Sequence, residues 1–425
     1  MLNELDQIES GSKAAGTSFA IVAFLMIPIA VFSSKAMAPL FILLALVLLG
    51  HRVIKRNFSF SLPLTSILAF LCLLIWAGLS QFWTFDTALG AKLLLPLLAL
   101  FALGIFLHQE TRSISSSTSD DIGRFLIAGA GLAIVVLFFE SVTGNWLTRL
   151  GRGLAWHDVI RDYTGGINIA AFVKNGVVIL SILIWPVLST LWRRQQKIWA
   201  GLFLLSTAYL IYRFSASTAI IALIASAIGI AIACLRRKIA VHLIAGSFVV
   251  FVLAMPFGIE KVLGDKTTNE IGQIGFDAKL PNSAINRFII WHFSTKRIFE
   301  KPATGWGMNA ARQIPGGSDK YSLRVKNSNG KEFTLFREFF VPLHTHNQAI
   351  QIWLELGAIG ALLVAGFGWL FIRRLENENI DPSLFGVVIS ILVFNLLSFG
   401  AWQSWWIATQ FLCISLAISA TRKQS

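Results

Sequence analysis

The chain has 425 residues, of which 55% are hydrophobic and 14% charged, with a mean hydropathy of +0.69. A soluble fold cannot hide that much apolar surface, so a soluble enzyme or binding module is excluded and a polytopic membrane protein is expected. The net charge of +14 would point to nucleic acid in a soluble protein; here most basic residues sit in short loops, without zinc-finger or helix-turn-helix spacing, so no nucleic-acid partner is expected.

The opening residues, MLNELDQIESGSKAAG, are polar and slightly acidic and do not resemble a cleaved signal peptide. Apolar runs of about 20 residues suffice to cross a bilayer. They recur at roughly 18–34, 37–50, 62–82, 87–107, 124–142, 169–190, 197–212, 216–235, 240–258, 346–372, 383–400 and 403–420, which predicts about twelve transmembrane helices. Cys72, Cys234 and Cys413 lie inside these runs without metal-ligand spacing and read as small buried hydrophobes, so no metal is expected. No Walker motif and no GxGxxG occurs, so no nucleotide cofactor is expected either.

The loops alternate in charge. One set carries sixteen Lys and Arg, from Lys13 through Arg193, Arg194 and Arg236–Lys238 to Arg422 and Lys423; the short loops of the other set carry Lys35 and Arg213. The positive-inside rule then places both termini in the cytoplasm. Two long loops fall on the outer side, 143–168 and 259–345. The chain thus divides into residues 1–258, a bundle of about nine spans with the smaller loop; 259–345, an outer cap; and 346–425, about three further spans.

The large loop holds thirteen Lys and Arg against eight Asp and Glu, an excess that suits an anionic substrate at the outer leaflet. Its segment NRFIIWHFSTKRIFEKP (286–302) is amphipathic and predicts a helix ended by Pro302. The stretch 316–336 alternates around an Asn-Gly pair and predicts a β-hairpin.

Polar groups then crowd the return to the bilayer in VPLHTHNQAIQIWLELGAIG (341–360). His344, Gln348, Gln351 and Glu355 recur at offsets that share one helix face, while Pro342 sets the helix start just after it. Ionisable groups at such a boundary are costly, which marks a candidate site. A histidine there can serve as a base near neutral pH. Arg161, Lys174 and Arg213 fall on the same predicted side, and the convergence of basic groups with a base fits an anionic lipid substrate.

This stretch resembles the signature of the O-antigen ligase and Wzy polymerase superfamily, a His-x-His-Asn element followed by a Glu-x-Gly helix. NRFIIWHFSTKRIFEKPATGWGMN is similar to the family's periplasmic segment through Arg287, Trp291, Pro302, Gly305 and Gly307, and VKNGVVILSILIWPVL to its sixth-span region. The matched regions run from about 160 to 365. The resemblance implies an all-α polytopic membrane protein of the bacterial inner membrane, with a large, mainly helical periplasmic loop and an active site facing the periplasm. It implies an O-antigen ligase that moves a glycan from undecaprenyl diphosphate to a sugar hydroxyl of lipid A-core, with inversion and without metal or nucleotide. His346 matches the functional histidine and Arg287 the essential arginine. His344, Asn347, Gln348, Trp291, Arg213, Lys174 and Arg161 are expected to bind substrate. Many relatives carry Ser-Arg where this chain has Ser217–Thr218; Arg213 or Lys174 is the expected substitute.

Two other readings stand beside the ligase. A Wzy-type polymerase would use the same donor face with a second lipid-linked glycan as acceptor. A secondary transporter would share the span count, but its polar groups belong at the midplane rather than at one boundary.

Overall fold

The structure is a computed structural model that describes residues 2–55, 64–153, 170–377 and 379–422. Its helices are α1 (Leu2–Phe32), α2 (Met37–Ile54), α3 (Leu64–Leu79), α4 (Thr87–Glu110), α5 (Ser116–Val142), α6 (Trp146–Gly151), α7 (Ala170–Arg193), α8 (Lys197–Arg213), α9 (Ser217–Leu263), α10 (Thr268–Asp277), α11 (Asn282–Glu300), α12 (Gln348–Ile372), α13 (Ser383–Leu397) and α14 (Ser404–Thr421). A hairpin of β1 (Lys320–Lys326) and β2 (Glu332–Phe339) lies between α11 and α12. Helices dominate because a backbone in lipid must satisfy its own hydrogen bonds.

Among the described residues, eight helices are long and apolar enough to cross a membrane, so the chain is a multi-pass membrane protein. The expectation of twelve is corrected in two ways. The runs 216–235 and 240–258 are two helical stretches that meet at Arg236, a single non-helical residue (φ −146°, ψ 76°) with no loop between them, and together they form the element α9. The others are shorter than a typical span of about 20 residues: α8 and α13 have 17 and 15 residues, and α3 has 16 among the described residues.

α7 is the centre of the bundle, with Val177, Ile179, Leu180, Ile182 and Leu183 fully buried. α1 lies against α5 so closely that a Cβ on Gly129 would stand 2.3 Å from the Phe24 carbonyl oxygen; small residues permit such helix contact in lipid. The outer surface is apolar, with Leu43, Ile54, Leu95, Leu205 and Leu235 exposed. Cys413 is buried, but Cys72 and Cys234 are exposed, contrary to the reading of all three as buried.

The predicted amphipathic helix is α11, and it faces two cores. Ile285 and Ile289 pack with Ile271 of α10 and with Tyr321, Leu323 and Val325 of β1, whereas Ile290, Trp291 and Ile298 join the core of the bundle. The predicted hairpin is present and antiparallel, with a bulge between Leu323 and Arg324. Thr267 and Glu270 form a reciprocal capping box that starts α10.

α12 is broken at Gly357 (φ 67°, ψ −165°). The segment after α11 covers the break. Pro302 O accepts from Ala358 N at 2.8 Å, while Trp306 N and Gly307 N donate to the Leu354 and Glu355 carbonyls at 2.9 and 2.8 Å. Trp76 Nε1 donates to Leu356 O at 2.9 Å. The backbone groups freed by the break therefore find partners inside the protein, as lipid requires. A parallel repair occurs in α9: Pro256 has no N–H for the Val252 carbonyl, and Trp353 Nε1 of α12 donates to it at 2.7 Å.

Candidate active site

The His344–Asn347 turn stands between β2 and α12. Asn347 is the N-cap of α12, its side chain accepting from Ile350 N at 3.1 Å. Trp291 Nε1 of α11 donates to Thr345 O at 3.0 Å, and Thr345 Oγ1 donates to Asn347 O at 2.7 Å. His346 takes up the left-handed conformation, φ 54°, a strained state for a residue with a Cβ that persists where the surroundings enforce it. Those surroundings are two hydrogen bonds. His346 N donates to His344 Nδ1 at 3.0 Å, and His346 Nδ1 lies 2.9 Å from Ser398 O.

These bonds assign different chemistry to the two imidazoles. A carbonyl only accepts, so His346 Nδ1 carries its proton and Nε2 keeps the lone pair. A backbone N–H only donates, so His344 Nδ1 is the bare nitrogen and its neutral ring presents an N–H at Nε2. The rings stand 4.3 Å apart. His346 thus offers a base and His344 a donor.

Arg287 projects from α11, half-buried, without a hydrogen bond or ion pair among the described residues. Burial pulls its pKa down. Its positive charge acts on both histidines. Burial first, then the neighbouring His346 and Arg287, lower His344 to about 3. For His346, burial outweighs the Ser398 carbonyl, and with Arg287 it brings the ring to about 4. Both rings are therefore neutral at physiological pH, and the local positive charge belongs to Arg287.

Beneath the turn lies an apolar cavity of about 230 Å³. Gln348 and Trp402 stand on its wall with Leu73, Phe101, Phe367 and Phe411. The arrangement is a neutral base and a lone guanidinium above a space suited to hydrocarbon.

Residues 201–365, from α8 through the broken α12, match the O-antigen ligase family. The chain is 27% identical over 343 residues to a Rickettsia conorii protein provisionally named a polysaccharide ligase, covering 77% of this chain and 74% of that one. A Rickettsia felis protein with the same provisional name is 25% identical over 369 residues, 84% of this chain and 81% of its own. A Rickettsia typhi protein, likewise named, is 27% identical over 316 residues, 72% and 70%. The matched segment, 201–365, is of the O-antigen ligase and Wzy polymerase superfamily.

Arg287, Trp291 and the histidine turn lie inside the matched segment. Trp291 is buried and ties α11 to the turn. Gln348 Nε2 donates to Gly400 O at 3.2 Å. Glu355 accepts from Gln351 Nε2, Asn309 N and Trp402 Nε1 at 3.0, 2.7 and 2.5 Å, as a deep structural partner would. Arg213 stands at the end of α8 and donates to Ser141 O at 2.7 Å, not to the turn. Lys174 is half-buried near the start of α7, where its neighbour Asn175 donates to Ser34 Oγ at 2.9 Å. Arg161 lies outside the described residues.

Sequence reasoning missed the segment 398–402, between α13 and α14, which wraps the turn. Ser398 O and Gly400 O receive His346 and Gln348, Ala401 N donates to Gln351 Oε1 at 2.9 Å, and Trp402 reaches Glu355. Ser398 Oγ also bonds Thr218 Oγ1 at 3.2 Å, so Thr218 touches the histidine's own support. A Ser-Phe-Gly-Ala-Trp run at a span boundary was the available signal; only its partners reveal its purpose.

Proposed function

We propose that the protein transfers a glycan from undecaprenyl diphosphate to a sugar hydroxyl of lipid A-core, at the periplasmic face of a bacterial inner membrane with both termini in the cytoplasm. The observation that carries this reading is the nearness of Arg287, without a hydrogen bond or ion pair among the described residues, to His346, whose Nε2 lone pair is left open by the Ser398 carbonyl. In the proposed step His346 Nε2 takes the proton of the acceptor hydroxyl, whose oxygen attacks the anomeric carbon. The bond from that carbon to the diphosphate oxygen breaks on the opposite side, which inverts the centre. Undecaprenyl diphosphate leaves with negative charge that the Arg287 fork neutralises. His344 Nε2–H supplies a second donor in this step. The cavity below Gln348 and Trp402 suits a lipid chain, and the relatives' names favour a ligase.

The test is transfer by purified protein from a lipid-diphosphate-linked glycan, with products read by mass spectrometry. A glycan joined to lipid A-core supports the reading. A glycan joined to a second lipid-linked repeat would make it a polymerase, and no transfer without an added nucleotide would remove it.

A further inference from the structure

The outward face of the hairpin carries four cations. β1 alternates exposed and buried, with Tyr321, Leu323 and Val325 inward and Lys320, Ser322, Arg324 and Lys326 outward. The register sets Arg337 opposite Ser322, between Lys320 and Arg324 on the same face. Glu332, opposite Lys326, is the one acid there, and no ion pair involves any of the four cationic heads among the described residues. Unbalanced like charges on neighbouring strand positions are unfavourable, so the face is electrostatically incomplete. Phe339, opposite Lys320, has Lys320 at 5.2 Å and Arg312 at 5.5 Å from its ring centroid. The strip spans the seven residues of β1, roughly 20 Å, a length of several sugars.

The face is also fixed relative to the candidate site. Tyr321 Oη donates to Asn286 Oδ1 at 2.5 Å, one residue before Arg287. Phe340 stacks on Phe293 of α11, ring centroids 4.8 Å apart, and four residues later β2's continuation reaches His344.

We infer that the outer hairpin face binds the anionic sugars of the acceptor, an oligosaccharide bearing phosphate monoesters or carboxylates, and guides its hydroxyl toward His346. The inference rests on the transfer reading above for the word acceptor. Lys320, Arg324, Lys326 and Arg337 supply charge, and Phe339 an aromatic surface beside it. A screen against strand pairing is the other use of charge on an exposed hairpin, and it requires no saccharide binding.

The test uses the full chain in lipid nanodiscs and the variant R324Q/K326Q/R337Q, whose side chains are exposed and lie outside the catalytic group. Binding of a phosphorylated oligosaccharide, and of the same oligosaccharide after phosphatase treatment, is measured at several salt concentrations. The expected result is a loss of about tenfold or more for the phosphorylated form, a flatter salt dependence, and no change for the neutral form. In transfer assays KM for the anionic acceptor rises and kcat does not. Equal binding of the phosphorylated form by variant and wild type overturns the inference. So does a loss confined to association with vesicles of anionic phospholipid, which would make the face a membrane contact. Binding needs no turnover: wild-type protein that binds through these residues but transfers nothing would remove the transferase reading and keep the anion-binding face.

Discussion

His346 owes its assigned role to one carbonyl. With Nδ1 turned to Ser398 O, its Nε2 is the open lone pair, whereas His344 has its lone pair occupied by a backbone N–H. His346→Ala is expected to lower transfer by about 10²–10⁴-fold while donor binding persists; a dead His344→Ala beside an active His346→Ala would assign the base to the wrong ring. The depressed pKa has a sign. His346 is deprotonated above about 4, so the acid limb of kcat/KM should fall as pH drops through about 4 rather than through the ordinary 6.5. Arg287→Gln removes one cause of the lowering and should move that limb upward in the residual activity; an unmoved limb would separate Arg287 from the histidines. Stability follows the same direction. The unfolded chain takes up protons near 6.5 and the folded turn near 4 or below, so this turn's stability is full above 6.5 and declines as pH falls toward 4. Arg287→Lys should also impair turnover badly, because a point charge cannot copy the guanidinium fork.

At the scale of elements, the turn is held by two segments distant in sequence. One is the 302–307 stretch across the break in α12. Gly357 and Gly305 both have positive φ, and a Cβ on Gly357 would lie 2.2 Å from Ala303 O, on Gly305 2.5 Å from the Glu355 carbonyl carbon. Each Gly→Ala change should cost about 1–3 kcal/mol from backbone strain alone, with more from the clash, read as a lowered Tm in detergent. An unchanged Tm for both would mean that the break is not a fixed feature. The other segment is 398–402. Trp402→Phe deletes the indole donor to Glu355 and leaves a fully buried carboxylate short of one partner. A loss of about 1–3 kcal/mol is expected, with kcat falling as the Ser398 carbonyl loosens and KM changing little.

For the whole molecule, the charge asymmetry of the loops predicts which end faces the cytoplasm. Ser117, at the start of α5 near Arg112 and Arg124, and Ser328, at the exposed hairpin tip, stand on opposite predicted sides. In intact cells, a membrane-impermeant thiol reagent should label Ser328→Cys and not Ser117→Cys, with Cys72 and Cys234 replaced because both are exposed. The reverse pattern would invert the topology and place the histidine turn in the cytoplasm, against the proposed periplasmic reaction.

Composition and hydropathy alone determined that the chain lives in a membrane, because no soluble core could absorb 55% hydrophobic residues. Local pattern was enough for α11, for the hairpin and for a helix starting soon after Pro342, since a proline stop, amphipathic period and Asn-Gly turns act over a few residues. The count of spans was not legible: a kink at Arg236 and a loop look alike when both are basic and short. Nor was the site's inner logic. Ser398, Trp402 and Thr218 act on His346 and Glu355 from up to 128 residues away in the chain, and no local pattern records such a distance. Which histidine keeps its lone pair depends on hydrogen bonds between remote segments, and these exist only once α9, α11, α12 and α13 have packed.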